Sequence, residues 1–434
     1  MPLPEDIPTL PGLLADAGYR THSLGKLHLK PWDRGHGLDI RDIETPEENP
    51  ERRLWWEDKI RTQSPDHYYG FQTQDSVIGH GHYATGDYLT WLEKQDPKAR
   101  EKYQSAIGSI DLPPELHYNT WIADRGIAFI NEQSETQPFF LWCSFPDPHT
   151  PFAALRSYAD RYRKEDMPLP PNALELPSAG QSETLLQSDD ASLNLRTRDP
   201  DVLREITRQV FGMITHLDEQ AGRVMAALEA KGLTENTIVI WIADHGEQLG
   251  EQGAMHKGLF PYDGSTRIPF IISVPWAASD RKGRVVHEPV SQIDLVPTVL
   301  DLAGVPQPED PRSTPEHRRS LAPLSPSLPG ESLTPVLLDG ASPQRATALA
   351  EFDNNAYSEF ENLQVRTFVT RDFKVCLYNP TGEILLFDRK NDPYEMSNLA
   401  KDPDYKDVLV DMLAGMVMEI CRTEPRLPRR LCGC

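Results

Sequence analysis

Three short segments put ionisable side chains where a buried strand would end. Residues 237–242 lead into Asp244-His245-Gly246, residues 139–145 lead into Pro146-Asp147-Pro148-His149-Thr150-Pro151, and residues 19–24 lead into Gly25-Lys26-Leu27-His28. A carboxylate beside an imidazole can share a divalent cation, one giving oxygen and the other nitrogen. A histidine fenced by prolines has little freedom to lose on meeting a substrate oxygen, so His149 suits hydrogen bonding or proton donation there. Lys26 and His28 fall on one side of an extended chain and pair a fixed charge with a titratable group. Each motif also has a plainer use. Asp244 can cap a turn and bond to His245, His149 can be a structural loop histidine, and Lys26 with His28 can sit on a solvated edge. Their recurrence at strand ends argues for chemistry.

The elements needed to hold these groups are legible. Thr9 is an N-cap candidate, Pro11 sits in the first turn, Leu10, Leu13, Leu14 and Ala17 follow helical spacing, and Gly18 closes the helix. The strand at 19–24 follows it. Residues 31–120 are polar, weakly periodic and bear Trp and Tyr, which predicts a long surface excursion; helical signal returns at 121–130. The run 139–145 is apolar without alternation, as expected of a strand covered on both faces of a parallel sheet. After a Pro/Ser-rich stretch near 167–200, Val210, Met213, Ile214, Leu217, Ala221, Val224, Met225 and Leu228 form one helical stripe ending at Gly232. Residues 237–242 and 270–274 predict further buried strands, and 294–303 a helix. The alternation predicts an α/β fold with a doubly wound, mostly parallel sheet, its sites off the carboxyl ends of the strands. Residues 306–330 read as a proline-rich linker between a domain at 1–305 and a small α+β subdomain at 331–434. In that subdomain, strands between 363 and 388 turn at Arg371-Asp372 and Pro380-Thr381-Gly382, and a helix covers 405–421.

Composition narrows the partners. The 434 residues carry 66 acidic against 44 basic side chains, a net charge of −22, which argues against a nucleic-acid partner. A few lysines and a cation can still build a positive pocket for a small anion. No apolar stretch of about 18 residues occurs, so no helical membrane span is predicted. Five cysteines, among them the tail pair Cys432 and Cys434, form too sparse and odd a set for a disulfide framework and suggest a cytoplasmic setting. Assembly stays open, a homo-oligomer included.

Read together, the segments resemble the sulfatase family. Gly18-Tyr19-Arg20-Thr21 with Gly25-Lys26-Leu27-His28 is similar to the family's GYxT…GKWH, with leucine in place of tryptophan. Residues 138–152 resemble the strand and loop that bring a histidine to sulfate, and His216-Leu217-Asp218-Glu219 the long helix. Residues 243–251 with Lys257 resemble the metal and lysine segment. Arg267-Ile268-Pro269-Phe270, residues 291–298, and Leu386-Phe387-Asp388 with Asn391-Asp392-Pro393 follow in the family's order.

The resemblance implies an alkaline-phosphatase-like fold and a sulfuric ester hydrolase acting on a small anionic sulfate ester. It implies a divalent cation, usually calcium, with Asp244 and His245 as two of its ligands. It implies that Lys26 and Lys257 hold sulfate oxygens, Lys257 also steadying the departing alkoxide. His149 would serve the leaving group and His28 would accept the proton needed for turnover. His82, in His80-Gly81-His82, is a candidate on the substrate rim. The family's nucleophile is a formylglycine made within Cys-x-Pro-x-Arg or Ser-x-Pro-x-Arg. Neither pattern occurs here, and the expected position, with two further acidic ligands, precedes Met1; a truncated and inactive chain is therefore expected. The alternatives are a phosphonate monoester hydrolase or phosphodiesterase of the same superfamily, and a non-catalytic binder of sulfated ligands.

Overall fold

The computed structural model describes residues 7–30, 50–103, 108–173, 182, 184, 199–308, 328–353 and 362–423. The Cys432/Cys434 tail, residues 309–327 of the expected linker, residues 31–49 and 104–107 of the 31–120 segment, and most of 167–200 lie outside these. The chain divides into two compact units, residues 1–169 with 199–238, and residues 170–198 with 239–434. This division follows a different line from the expected linker.

In the first unit, helix α1 (Leu10–Asp16) starts as its sequence dictates. The Thr9 hydroxyl accepts from the Gly12 amide, and Pro11 occupies the first turn. Gly18, at φ +91°, ends the helix and lets the chain turn into strand β1 (Arg20–Gly25). Parallel strands β2 (Thr73–Ser76) and β3 (Phe139–Ser144) flank β1, so Gly25 lies opposite Ser76 on one side and Ser144 on the other. The three carboxyl ends are thereby level. Helices α2 (Asp87–Gln95), α3 (Tyr118–Glu132) and α4 (Pro200–Ala230) are the longer helices of the unit. Its core joins Leu24 of β1 to Val77, Tyr88, Leu92, Tyr118, Trp121, Ile122 and Leu155. Burying each aliphatic or aromatic side chain of this kind stabilises by roughly 1.5–3 kcal/mol.

Three expectations for this unit are corrected. Within 31–120, the described residues are not a surface excursion; they supply β2, α2 and buried Trp55, Trp56, Val77, Ile78, Tyr88, Leu89 and Leu92. Strand β3, one of the two edge strands of the described sheet, is half-buried along its length and not enclosed. On α4 the contact face is rotated from the purely apolar stripe. Ile214 and Met225 are exposed while Gln209, His216 and Gln220 are buried. The helix seats Gly212 on Ala154 and Ala159, where an added Cβ would approach within 2.9 Å, and this seat turns the polar residues inward.

In the second unit, β4 (Val239–Ile242) pairs with β5 (Phe270–Ser273), and the pair is antiparallel. No long helical crossover joins them, so the chain returns in the opposite direction. Neither strand is enclosed: Trp241 and Ile271 are exposed. Helix α5 (Leu295–Leu302) follows a capping box between Ser291 and Asp294. The subdomain is a four-stranded antiparallel meander, β6 (Ala348–Asp353), β7 (Gln364–Val369), β8 (Phe373–Asn379) and β9 (Glu383–Asp388), against helix α6 (Lys406–Thr423). Strands β7 to β9 turn where the sequence places the turns; β6 is an addition. Phe368, Val375, Leu386, Met412 and Met416 form the buried contact between meander and α6.

Candidate functional site

The first unit carries four of the candidate residues at the carboxyl ends of its three parallel strands. At the end of β1, the Lys26 amide donates to the Ser144 carbonyl at 3.0 Å, so Lys26 emerges beside the end of β3. Gly25 is obligatory there: φ is +87°, and a Cβ would sit 1.9 Å from the Ser144 oxygen. The chain through His28, which is exposed, is pinned by Glu51. That carboxylate accepts from the amides of Leu29 and Lys30 and from the Tyr68 hydroxyl at 2.7 Å. Burial pushes the Glu51 carboxyl up to about 6 against these hydrogen bonds.

At the end of β3, His149 is half-buried and donates from Nδ1 to the Thr150 carbonyl at 2.7 Å. A carbonyl only accepts, so Nδ1 carries the proton and the neutral ring's lone pair is on Nε2. The preceding Asp147 is buried, bonded to the Tyr118 hydroxyl and, at 2.8 Å, to the Asn119 amide. Burial raises its carboxyl to about 7. At the end of β2 the chain reaches His80 and His82. His82 packs on Tyr83 with ring centroids 3.7 Å apart. Burial, then the Arg100 and Arg53 charges, hold its imidazole below the usual histidine value.

The second unit carries the remaining three. Asp244 and His245 follow β4. The His245 Nδ1–H donates to the Gly246 carbonyl at 2.8 Å, which leaves Nε2 with its lone pair, 3.5 Å from Asp244 Oδ2. That tautomer is the one a metal-binding histidine needs. Gln292 supports the turn from behind, its amide donating at 2.8 Å to the carbonyls of both Ala243 and Asp244. The donor set therefore fits a divalent cation. Among the described residues no group of three or more His, Cys, Asp or Glu side chains gathers around one point. Lys257 is half-buried on a loop anchored by Glu247, whose carboxylate accepts from the amides of His256 and Leu249. Burial raises the Glu247 carboxyl and the Lys257 charge opposes that.

Glu51, His80 and Tyr118 were not singled out by sequence as supports of the site. Their partners are distant in the chain, and only the run of His, Gly and Tyr at 80–83 hinted at His80. Neither described cysteine near these elements competes as a nucleophile: burial holds the Cys143 and Cys376 thiols up at about 12.

The sulfatase family model matches residues 1–305, and a model for the C-terminal region of N-sulphoglucosamine sulphohydrolase matches residues 250–420. The chain belongs to the sulfatase family. It is 27% identical over 415 residues to an arylsulfatase of Clostridium perfringens, spanning 92% of this chain and 75% of that protein. It is 30% identical over 346 residues to a multifunctional alkaline phosphatase superfamily protein of Trinickia caryophylli, spanning 73% of this chain and 63% of that one. Its fold is similar to that of the phosphonate monoester hydrolase of Agrobacterium radiobacter, with a TM-score of 0.71, 22% identity, and coverage of 98% of this chain and 82% of the other. The expected alkaline-phosphatase-like α/β fold with a C-terminal sheet subdomain is thereby established. Among the described residues no helix is long and apolar enough to cross a membrane.

Proposed function

We propose that the chain is the holding and proton-transfer part of a sulfuric ester hydrolase acting on a small anionic sulfate ester. The observation that carries this reading is His149, fixed at a strand end with Nδ1–H on its own following carbonyl. In that state the ring can donate a hydrogen bond or proton from Nε2 when cationic and accept one when neutral, which a departing alkoxide requires. Lys26 and Lys257 contribute fixed positive charge for the sulfate oxygens, and Lys257 also for the leaving oxygen. His28, exposed at the end of the β1 loop and steadied by Glu51, is placed as the proton acceptor for turnover. His82 contributes at the rim. Asp244 and His245 would hold a divalent cation, calcium by family habit, which supplies charge neutralisation as a Lewis acid.

The 434 residues contain neither Cys-x-Pro-x-Arg nor Ser-x-Pro-x-Arg, the patterns in which the family forms its formylglycine nucleophile. We expect no appreciable turnover from these residues by themselves. Supplied with a nucleophile-bearing segment of the family on the same polypeptide, the protein should release 4-nitrophenol faster from 4-nitrophenyl sulfate than from 4-nitrophenyl phenylphosphonate. Faster cleavage of the phosphonate would favour the second reading, a phosphonate or phosphodiester hydrolase. Binding of sulfate without cleavage of either ester would make the protein a binder, and absence of both would sink the sulfatase reading.

A further inference from the structure

The His149 ring is held at one edge by the Nδ1–H bond to Thr150, yet a flat ring on a loop also needs its face covered. The cover comes from His80. The two imidazoles stack with centroids 3.7 Å apart and planes at 27°. His80 is itself buried, and its backbone is extended.

The segment carrying His80 is fitted to the His149 loop at two further points. Gly81, at φ +54°, lies so close to Pro151 that a Cβ would come within 2.6 Å of the proline Cγ. The Tyr118 hydroxyl receives the Gly81 amide hydrogen and donates to Asp147 Oδ1. One phenol thus ties the loop after β2 to the loop after β3. On the other flank Gly79, at φ +77°, abuts the Tyr83 carbonyl at 2.9 Å from a hypothetical Cβ. The stacked pair sits between these fixtures, and neither loop can shift without disturbing the other.

We infer that His80 is a positioning residue for His149, covering one face of its ring so that the Nδ1–H bond to Thr150 persists and Nε2 points one way. The inference rests on His149 being the group that serves the leaving oxygen. Aromatic pairing contributes an increment beyond buried area that corresponds on the order of a two- to tenfold population ratio. Loss of the stack should therefore raise the fraction of His149 in other rotamers or the other tautomer by that factor.

The experiment uses the full 434-residue chain with isotope-labelled histidine rings, His149 being assigned by its own substitution. Ring nitrogen shifts and Cε1–H relaxation report tautomer and orientation without any turnover. Two variants of similar volume separate stacking from filling. His80→Phe keeps an aromatic face and should leave His149 as a single Nδ1–H tautomer with a narrow Cε1–H signal. His80→Leu fills the space without a π-face and should give averaged nitrogen shifts and a broadened signal, with the unfolding midpoint unchanged. The inference is overturned when His80→Leu leaves the His149 signals as in the unsubstituted chain, or when His80→Phe disturbs them as much as His80→Leu. Because nothing here requires a cleaved ester, a failed turnover assay would remove the proposed function and leave this result standing.

Discussion

Replacing Gly25 by alanine tests the geometry on which the first half of the site depends. The residue has φ +87°, and its missing Cβ would lie 1.9 Å from the Ser144 oxygen, 2.9 Å from the Ser144 carbon and 3.1 Å from Ile122 Cδ1. Two of those atoms are backbone of a paired strand and cannot swing aside. The left-handed conformation costs a residue with a Cβ roughly 1–2 kcal/mol. Forcing a methyl group into occupied space adds about 1–3 kcal/mol. Gly18 supplies the control: its φ is +91°, and nothing lies within 4 Å of its hypothetical Cβ. Gly18→Ala should therefore lose only the conformational part, and Gly25→Ala should lose about 2 kcal/mol more. For a unit of this size that difference is roughly 4–8 °C in Tm. Tryptophan fluorescence follows the first unit, since six of the eight tryptophans precede residue 170. Equal losses in the two variants would refute the close approach of β1 to β3, and with it the placement of Lys26 beside the His149 loop.

Three further outcomes are expected. Gln292→Ala should weaken calcium binding about tenfold or more in calorimetry, through the two carbonyls it steadies next to the ligands, and His245→Ala should weaken it further; undiminished affinity in both would remove the metal assignment. Asp147, with a folded value of about 7 against an ordinary value of about 3.9, keeps its proton in the folded state while the unfolded chain releases it. It therefore contributes stability below about pH 4 that is lost as pH rises to 7, at up to about 1.4 kcal/mol per pH unit. Asp147→Asn should make urea stability rise more steeply, or fall less, across that window, and parallel profiles would contradict the buried neutral acid. Lys374 is fully buried and ion-paired with Asp263 and Glu395; Lys374→Met should cost about 3–5 kcal/mol by leaving two carboxylates uncompensated, and a neutral result in denaturant would show that the pair is not held dry.

The parts of the fold legible in the sequence are those fixed by local chemistry. Thr9, Pro11 and Gly18 delimit α1, and Arg371-Asp372 with Pro380-Thr381-Gly382 delimit the strands of the meander. Strand β2 was not legible because Thr73-Gln74-Asp75-Ser76 has no apolar residue. It is a strand because β1 offers its backbone and Thr21 and Gln72 exchange hydrogen bonds, among them the Gln72 amide to the Thr21 hydroxyl at 3.1 Å. The same holds for Glu51, which reaches amides 22 and 21 positions earlier, and for His80, whose ring partner is His149. No local pattern encodes such meetings. The exposed apolar residues of β4 and β5 mark the opposite failure, since an apolar run predicts burial only where other layers cover it.

His149 and His245 share one device although they stand in different units and are assigned different tasks. Each donates Nδ1–H to the carbonyl of the next residue, at 2.7 Å and 2.8 Å. A bond so short in sequence needs no distant partner to form, so the tautomer is settled by the local turn. What differs is what then stands beside the ring. Beside His245 stands the Asp244 carboxylate, 3.5 Å from Nε2, and a neutral nitrogen next to an anionic oxygen is the chemistry of a shared cation. Beside His149 the neighbour is the His80 ring, stacked on its face with centroids 3.7 Å apart. A one-residue hydrogen bond thus sets the tautomer of both rings, and their surroundings differ: a carboxylate beside one, a stacked imidazole on the other.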